Sequence, residues 1–201
     1  MTSTVLTACG RQVGERGRQT RLLLLETLAD ELATTGYRDT SIVAITRRAN
    51  TSAATFYQYF PDIDQAILTL AEDIAREGSD NAPASRRPTP RELVKEFFAL
   101  YERHRAVLRV IDMKSAEGDQ RFTTLRIRFL DGLRSDLERA ARTANPTATE
   151  RVITSAVVAM VLTVAQAAAH GNELAAWSMD AAAVQTSTAQ LVHTALTHLV
   201  P

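Results

Sequence analysis

The twenty residues "SIVAITRRANTSAATFYQYF" (41–60) decide the fold. They hold four of the chain's eleven aromatic residues, Phe56, Tyr57, Tyr59 and Phe60, within five consecutive positions. That much ring surface in about one and a half helical turns serves a small core, an exposed contact face, or both. Upstream of it, Ile42, Ile45 and Ala49 recur at helical spacing behind Thr40 or Ser41, either of which suits an N-cap. The break "ANTS" follows. Ala49 is small enough for two helices to approach, and Asn50 is the best non-glycine residue for a positive φ. Ser52 is placed to cap a second helix whose free amides and dipole favour a phosphate, and Pro61 ends that helix. Two short helices joined by a tight turn describe a helix-turn-helix.

Outward from this stretch, "RQTRLLLLETLADELATTGY" places Leu24, Leu25, Leu28, Ala29 and Leu32 on one helical face, with Gly36 positioned for a left-handed C-terminal cap. "DIDQAILTLAEDIAREG" predicts a fourth helix over 62–77, capped by Asp62, with Gly78 near its end. "SDNAPASRRPTP" (79–90) has linker composition. Beyond it, helices are expected near 90–104, 105–117, 120–143, 148–170 and 180–199. No segment alternates like a strand. The expectation is an all-α chain of about nine helices: a basic N-terminal arm (1–17), a helix-turn-helix domain (18–61), a connecting helix (62–78) and a C-terminal helical domain (79–201).

The charge is balanced overall but not along the chain. Residues 1–60 carry seven Arg against five acidic residues, and residues 61–201 carry sixteen basic against eighteen acidic. Arg11, Arg16, Arg18 and Arg21 crowd the entrance to the first helix, where they form either a DNA-binding arm or a solvated tail. A single cysteine, Cys9, rules out an intrachain disulfide. No early basic cluster leads a long apolar core, and the apolar run 156–169 is broken by Thr163 and Gln166, so neither a signal peptide nor a membrane span is predicted. A cytoplasmic location is expected. The four histidines, His104, His170, His193 and His198, show no metal-ligand spacing, and no nucleophile elbow, phosphate loop or dinucleotide fingerprint occurs. No enzyme, cofactor or metal centre is expected.

The segments "GYRDTS", "IVAITRRANTS" and "TFYQYFPDIDQAIL" together resemble the tetracycline-repressor (TetR) family of transcriptional regulators, over about residues 18–77. The resemblance implies that Phe56 and Phe60 pack a three-helix core against Leu28, Leu32 and Ile45, while Tyr57 and Tyr59 stand at its edge and give hydroxyls to phosphates. The DNA-facing set it implies is Thr40, Ser41, Arg47, Arg48, Ser52, Ala53, Ala54, Thr55, Tyr57, Gln58 and Tyr59, with the alanines set to meet thymine methyls. The chain also departs from the family pattern. Ala53 and Ile63 stand where basic residues are common, Val43 where a polar reader is, and Asn50 in place of the turn glycine.

In the C-terminal portion, "RVITSAVVAMVLTVAQAAAHG" is apolar around most of its circumference, and Val184, Leu191, Ala195 and Leu199 recur along the last helix. Such surplus belongs either to a large monomer core or to a partner subunit, and the resemblance implies a four-helix dimer seam through 148–170 and 180–199. It also implies a pocket for a small hydrophobic effector lined by Phe97, Phe98, Tyr101, Met113, Phe122, Leu125 and Phe129, although the same residues would serve any helical core. The expected function is a dimeric, ligand-responsive repressor that binds an inverted-repeat operator in double-stranded DNA with half-sites about 34–36 Å apart. In this reading the effector shifts the fourth helix and releases the DNA. The alternative is a small-molecule-binding or protein-interaction module whose DNA surface has decayed.

Overall fold

The computed structural model describes residues 14–80, 88–146, 149–169 and 171–198. Among these the chain is all-α: α1 (Glu15–Thr35), α2 (Ile42–Arg48), α3 (Ala53–Tyr59), α4 (Ile63–Asp80), α5 (Pro90–Arg103), α6 (Arg105–Ala116), α7 (Gln120–Ala144), α8 (Glu150–Ala169), α9 (Gly171–Ala176) and α10 (Ala181–His198). Helix α1 starts at Glu15, inside the stretch read as an arm. Arg18 pairs with Glu15 one turn back and its amide donates to the Gly14 carbonyl at 3.0 Å, which carries the helix across Gly17. Arg11 lies outside the described residues.

Helix α1 follows Gly14 with no side-chain cap, whereas short polar residues begin α2 to α5. Ser41, not Thr40, caps α2, accepting from the Ala44 amide at 3.2 Å. Ser52 caps α3, accepting from the Thr55 amide at 3.1 Å, and Asp62 accepts from the Gln65 amide at 2.7 Å in front of α4. A capping box opens α5, with the Thr89 amide donating to Glu92 at 2.7 Å and the Glu92 amide to Thr89 at 3.3 Å.

The chain packs as two compact units, Met1–Ile74 with Ala106–Leu125, and Ala75–Arg105 with Arg126–Pro201. In the first, Leu24, Leu28, Ile45, Phe56, Phe60 and Ile67 are buried, and Phe56 lies 5.5 Å from Phe60 between ring centroids. Arg21 stands over the Phe60 ring at 5.4 Å. In the second, α10 packs along α5 and α8, and Val94, Ile153, Met160, Val192 and Leu196 of these helices are buried, as is Leu137 of α7.

Three details depart from the sequence expectation. Helix α9 is too short for a 3.6-residue pattern to reveal. It ends in a turn where the Trp177 and Met179 amides donate to the Leu174 carbonyl at 3.0 and 2.9 Å and Ser178 takes φ 57°. That turn leaves Trp177 74% exposed. On α10, Val184 is buried while Leu191 is 71% exposed. The inward row runs Val184, Thr188, Val192 and Leu196, and four-residue steps drift about 40° each around the helix, which leaves Leu191 to one side.

The third is Gly36, which has φ 79° and ψ 168° with its amide donating to the Leu32 carbonyl at 3.2 Å. This is not the left-handed cap but the extended mirror region that only glycine populates freely. A Cβ there would meet nothing within 4 Å, so the cost of a side chain is backbone strain alone. Gly36→Ala is expected to lower unfolding stability by about 1–3 kcal/mol, read as a reduced urea midpoint with unchanged slope. An unchanged midpoint would show that the turn relaxes into another conformation.

Candidate nucleic-acid interface

Helices α2 and α3 meet at a turn built by Asn50, which takes φ 49° in the left-handed region. The Thr51 amide donates to the Thr46 carbonyl at 2.8 Å and closes it. Ala49 is buried at 5% exposure, as two helices that approach this closely require. The aromatic run divides into two roles: Phe56 and Phe60 are buried, Tyr57 is 52% exposed, and Tyr59 is half-buried.

Within the DNA-facing set, Ser41, Arg47, Ser52, Ala53, Ala54, Tyr57 and Gln58 are exposed and Thr55 is half-buried. Thr40 is buried and its hydroxyl donates to the Gly36 carbonyl at 2.8 Å. Arg48 is exposed, but its guanidinium reaches back to α1, donating to Glu31 at 3.1 Å and to Asp30 at 3.3 Å. The Ser52 and Thr55 hydroxyls pair at 3.0 Å. The outer surface of α2 and α3 therefore presents Arg47, Tyr57 and Gln58 as polar groups beside the methyls of Val43, Ala53 and Ala54, with Val43 69% exposed.

A cluster that the sequence reading did not find joins the turn before α2 to α4, α6 and α7. Tyr37, in the 3-10 turn Tyr37–Asp39 that precedes α2, donates its phenol to Asp64 of α4 at 2.7 Å. The other Asp64 oxygen takes Lys114 of α6 at 3.1 Å and Arg121 of α7 at 3.4 Å. The Lys114 ammonium also lies 5.2 Å from the Tyr37 ring centroid and 5.9 Å from that of Phe122. Burial, followed by the Asp64 hydrogen bond, raises the Tyr37 pKa, and the contact with Tyr37 raises that of Lys114. Both remain protonated donors at neutral pH. Arg121 also binds Asp119 at 2.8 Å and holds its carboxyl at about 2.

The residues read as an effector pocket fall in both units. Phe97, Phe98 and Tyr101 are buried and Phe129 is half-buried in the second, where Phe97 stacks 6.1 Å from Phe129 and 6.4 Å from Tyr101. Phe122 and Leu125 are buried and Met113 half-buried in the first. Among the described residues no group of His, Cys, Asp and Glu is arranged to hold a metal, and no helix is long and apolar enough to cross a membrane. His104 lies against Glu77 at 2.9 Å, and the buried Nδ1 of His193 has no hydrogen-bond partner within the described chain.

Comparison with known proteins decides the identity of this architecture. Residues 24–68 match the profile described as bacterial regulatory proteins, tetR family, and residues 56–201 match that of the tetracyclin repressor-like C-terminal domain. The chain belongs to the TetR family of transcriptional regulators. Its α2–α3 pair is the DNA-binding helix-turn-helix of that family, whose members are regulators and not enzymes. Solved TetR-family and related structures share the fold. A transcriptional regulator from Rhodococcus sp. Rha1 aligns with a TM-score of 0.70 at 14% identity, over 90% of this chain and 99% of that one. Salmonella enterica GusR gives 0.66 at 16% identity over 90% and 96%, and a tetR-family regulator from Streptomyces coelicolor gives 0.69 at 17% over 89% and 79%. No curated protein matches the chain in sequence.

Proposed function

We propose that this TetR-family member is a dimeric repressor that binds an inverted-repeat operator and is released by a small hydrophobic molecule. The observation that carries the DNA-binding part is the surface of α2 and α3, where Arg47, Ala53, Ala54, Tyr57 and Gln58 stand exposed on a rigid, capped turn. In this reading Tyr57 and Arg47 grip phosphates, while Gln58 and the alanine methyls meet base edges. Ser41, Ser52, Thr55 and Tyr59 support the pair. Thr40 and Arg48 serve the fold, since their polar groups are engaged within the domain.

Dimerisation is supported by the outward faces of α8 and α10. Ser155, Val158 and Leu162 are exposed along one, and Ser187, Leu191 and Thr194 along the other, at three- and four-residue spacing. Val158 and Leu162 are 51% and 57% exposed, and solvated rows of this kind are buried in a helical seam. The effector is assigned to the aromatic group Phe97, Phe98, Tyr101 and Phe129, whose lining suits an apolar ligand. Met113, Phe122 and Leu125 then act by packing in the other unit. The protein works in the cytoplasm, with the DNA.

Selection of bound duplexes from a random library tests the reading. An enriched inverted repeat with half-sites about one helical turn apart is expected. A second reading, a binding module with a decayed DNA surface, is favoured by the apolar Val43 and Ala53 and by the engagement of Arg48 with α1. A library that returns no motif at low salt would replace the first reading with the second.

A further inference from the structure

We infer that Asp64 is a positioning residue for DNA binding, acting through Tyr37 on the start of α2, and that Lys114 of α6 is its control point. The inference rests on the DNA-binding reading and names the internal contact that sets its geometry.

Only three residues separate Tyr37 from Ser41, the cap of α2, and the turn between them is closed on itself. The Thr40 amide donates to the Tyr37 carbonyl at 3.3 Å and the Thr40 hydroxyl to the Gly36 carbonyl at 2.8 Å. A stiff link this short carries the position of the Tyr37 ring directly to the first turn of α2. The ring is fixed by its phenol on Asp64 at 2.7 Å. Asp64 in turn is held by a cation that another helix supplies: the Lys114 and Asp64 side chains are 16% and 18% exposed, so their attraction is weakly screened.

Lys114 joins the carboxylate to the faces of Tyr37 and Phe122, so a shift of the α6 end would disturb both of the contacts that fix the Tyr37 ring. Arg121 is a weaker substitute. It is half exposed, lies farther from Asp64 at 3.4 Å, and is shared with Asp119 at 2.8 Å. Whatever withdraws Lys114 therefore loosens the turn before α2 without touching the DNA surface.

The test uses the full chain and a duplex enriched by wild-type protein from a random library. Tyr37→Phe, Lys114→Met, Asp64→Asn and the Tyr37→Phe/Lys114→Met double variant are compared at a temperature where circular dichroism shows each fully folded. Each single variant is expected to lose at least about fivefold in DNA affinity. The double variant should lose clearly less than the product of its two singles, because both break one linkage. Asp64→Asn keeps an acceptor for the phenol but no charge for the ammonium, so it should match Lys114→Met. Amide exchange in α2 of the free protein should quicken in all four. Folded variants that bind as wild type does, or effects that simply multiply, overturn the positioning role. If the wild type itself enriches no duplex, the DNA-binding reading fails and this inference with it, an outcome distinct from the first.

Discussion

Leu191→Glu is expected to leave the folded chain intact and to separate the proposed dimer. The side chain is 71% exposed on α10 of the single chain, so an acidic group there meets water and should change protomer stability by no more than about 0.5 kcal/mol. In a seam formed by two copies the same carboxylate would be buried without a partner, and symmetry places one on each side. Removing two unpaired charges from water costs several kcal/mol, so the dimer dissociation constant should rise by at least about 100-fold. DNA affinity should fall by a further factor of about 100 or more, because the second half-site is no longer delivered by the first. Sedimentation and binding measured on one sample check both. A variant that remains dimeric would remove Leu191 from the seam. A variant that unfolds would show that the residue is needed by the protomer itself.

Phe56→Ala should have the largest effect on folding of any single change in the helix-turn-helix. Phe56 is fully buried, packs edge-on to Tyr57 at 6.0 Å and against Phe60, and lies in the core that holds α3 to its neighbours. Truncation loses the transfer free energy of the ring and leaves a cavity, about 3–5 kcal/mol in all. That is a large share of the roughly 5–15 kcal/mol that a domain possesses. The helical signal and DNA binding should fall together on warming. Tyr57→Phe, one position along, should leave the melting temperature unchanged because its ring is half exposed. It should weaken all duplexes alike if its hydroxyl meets a phosphate as proposed, since such a contact carries no sequence preference. Equal thermal effects of the two substitutions would mean that the aromatic run is not divided between core and surface.

The contrast between these neighbours was legible in the sequence because its causes are local. Helical spacing sends Phe56 and Phe60 inward, Ser52 and Asp62 cap because a short acceptor precedes each helix, and Asn50 tolerates the turn. Ser41 rather than Thr40 caps α2 because Thr40 is occupied by Gly36, a choice that adjacent sequence leaves open. The interactions that escaped the sequence reading join distant positions. Tyr37 and Asp64 are 27 residues apart, Arg121 and Asp64 57, and Arg48 and Glu31 17. A charged residue reads the same in sequence whether it will face DNA or an acid on another helix. Arg48 therefore read as part of the DNA surface although its guanidinium turns to α1. The division of the C-terminal helices into inward and outward rows was likewise blurred, because alanine and valine serve both a core and a seam.

The position of Trp177 determines what fluorescence can report about this molecule. It is the chain's single tryptophan, and its ring is mostly in water in the folded protomer, on the turn between α9 and α10. Unfolding takes that indole from water to water, so its emission maximum moves little when the α1–α4 module melts. Covering it moves the emission toward the blue at once. The indole emission, excited apart from that of the four tyrosines, is thus a gauge of what settles on one turn of the second unit and nearly blind to the melting of the module that holds the helix-turn-helix.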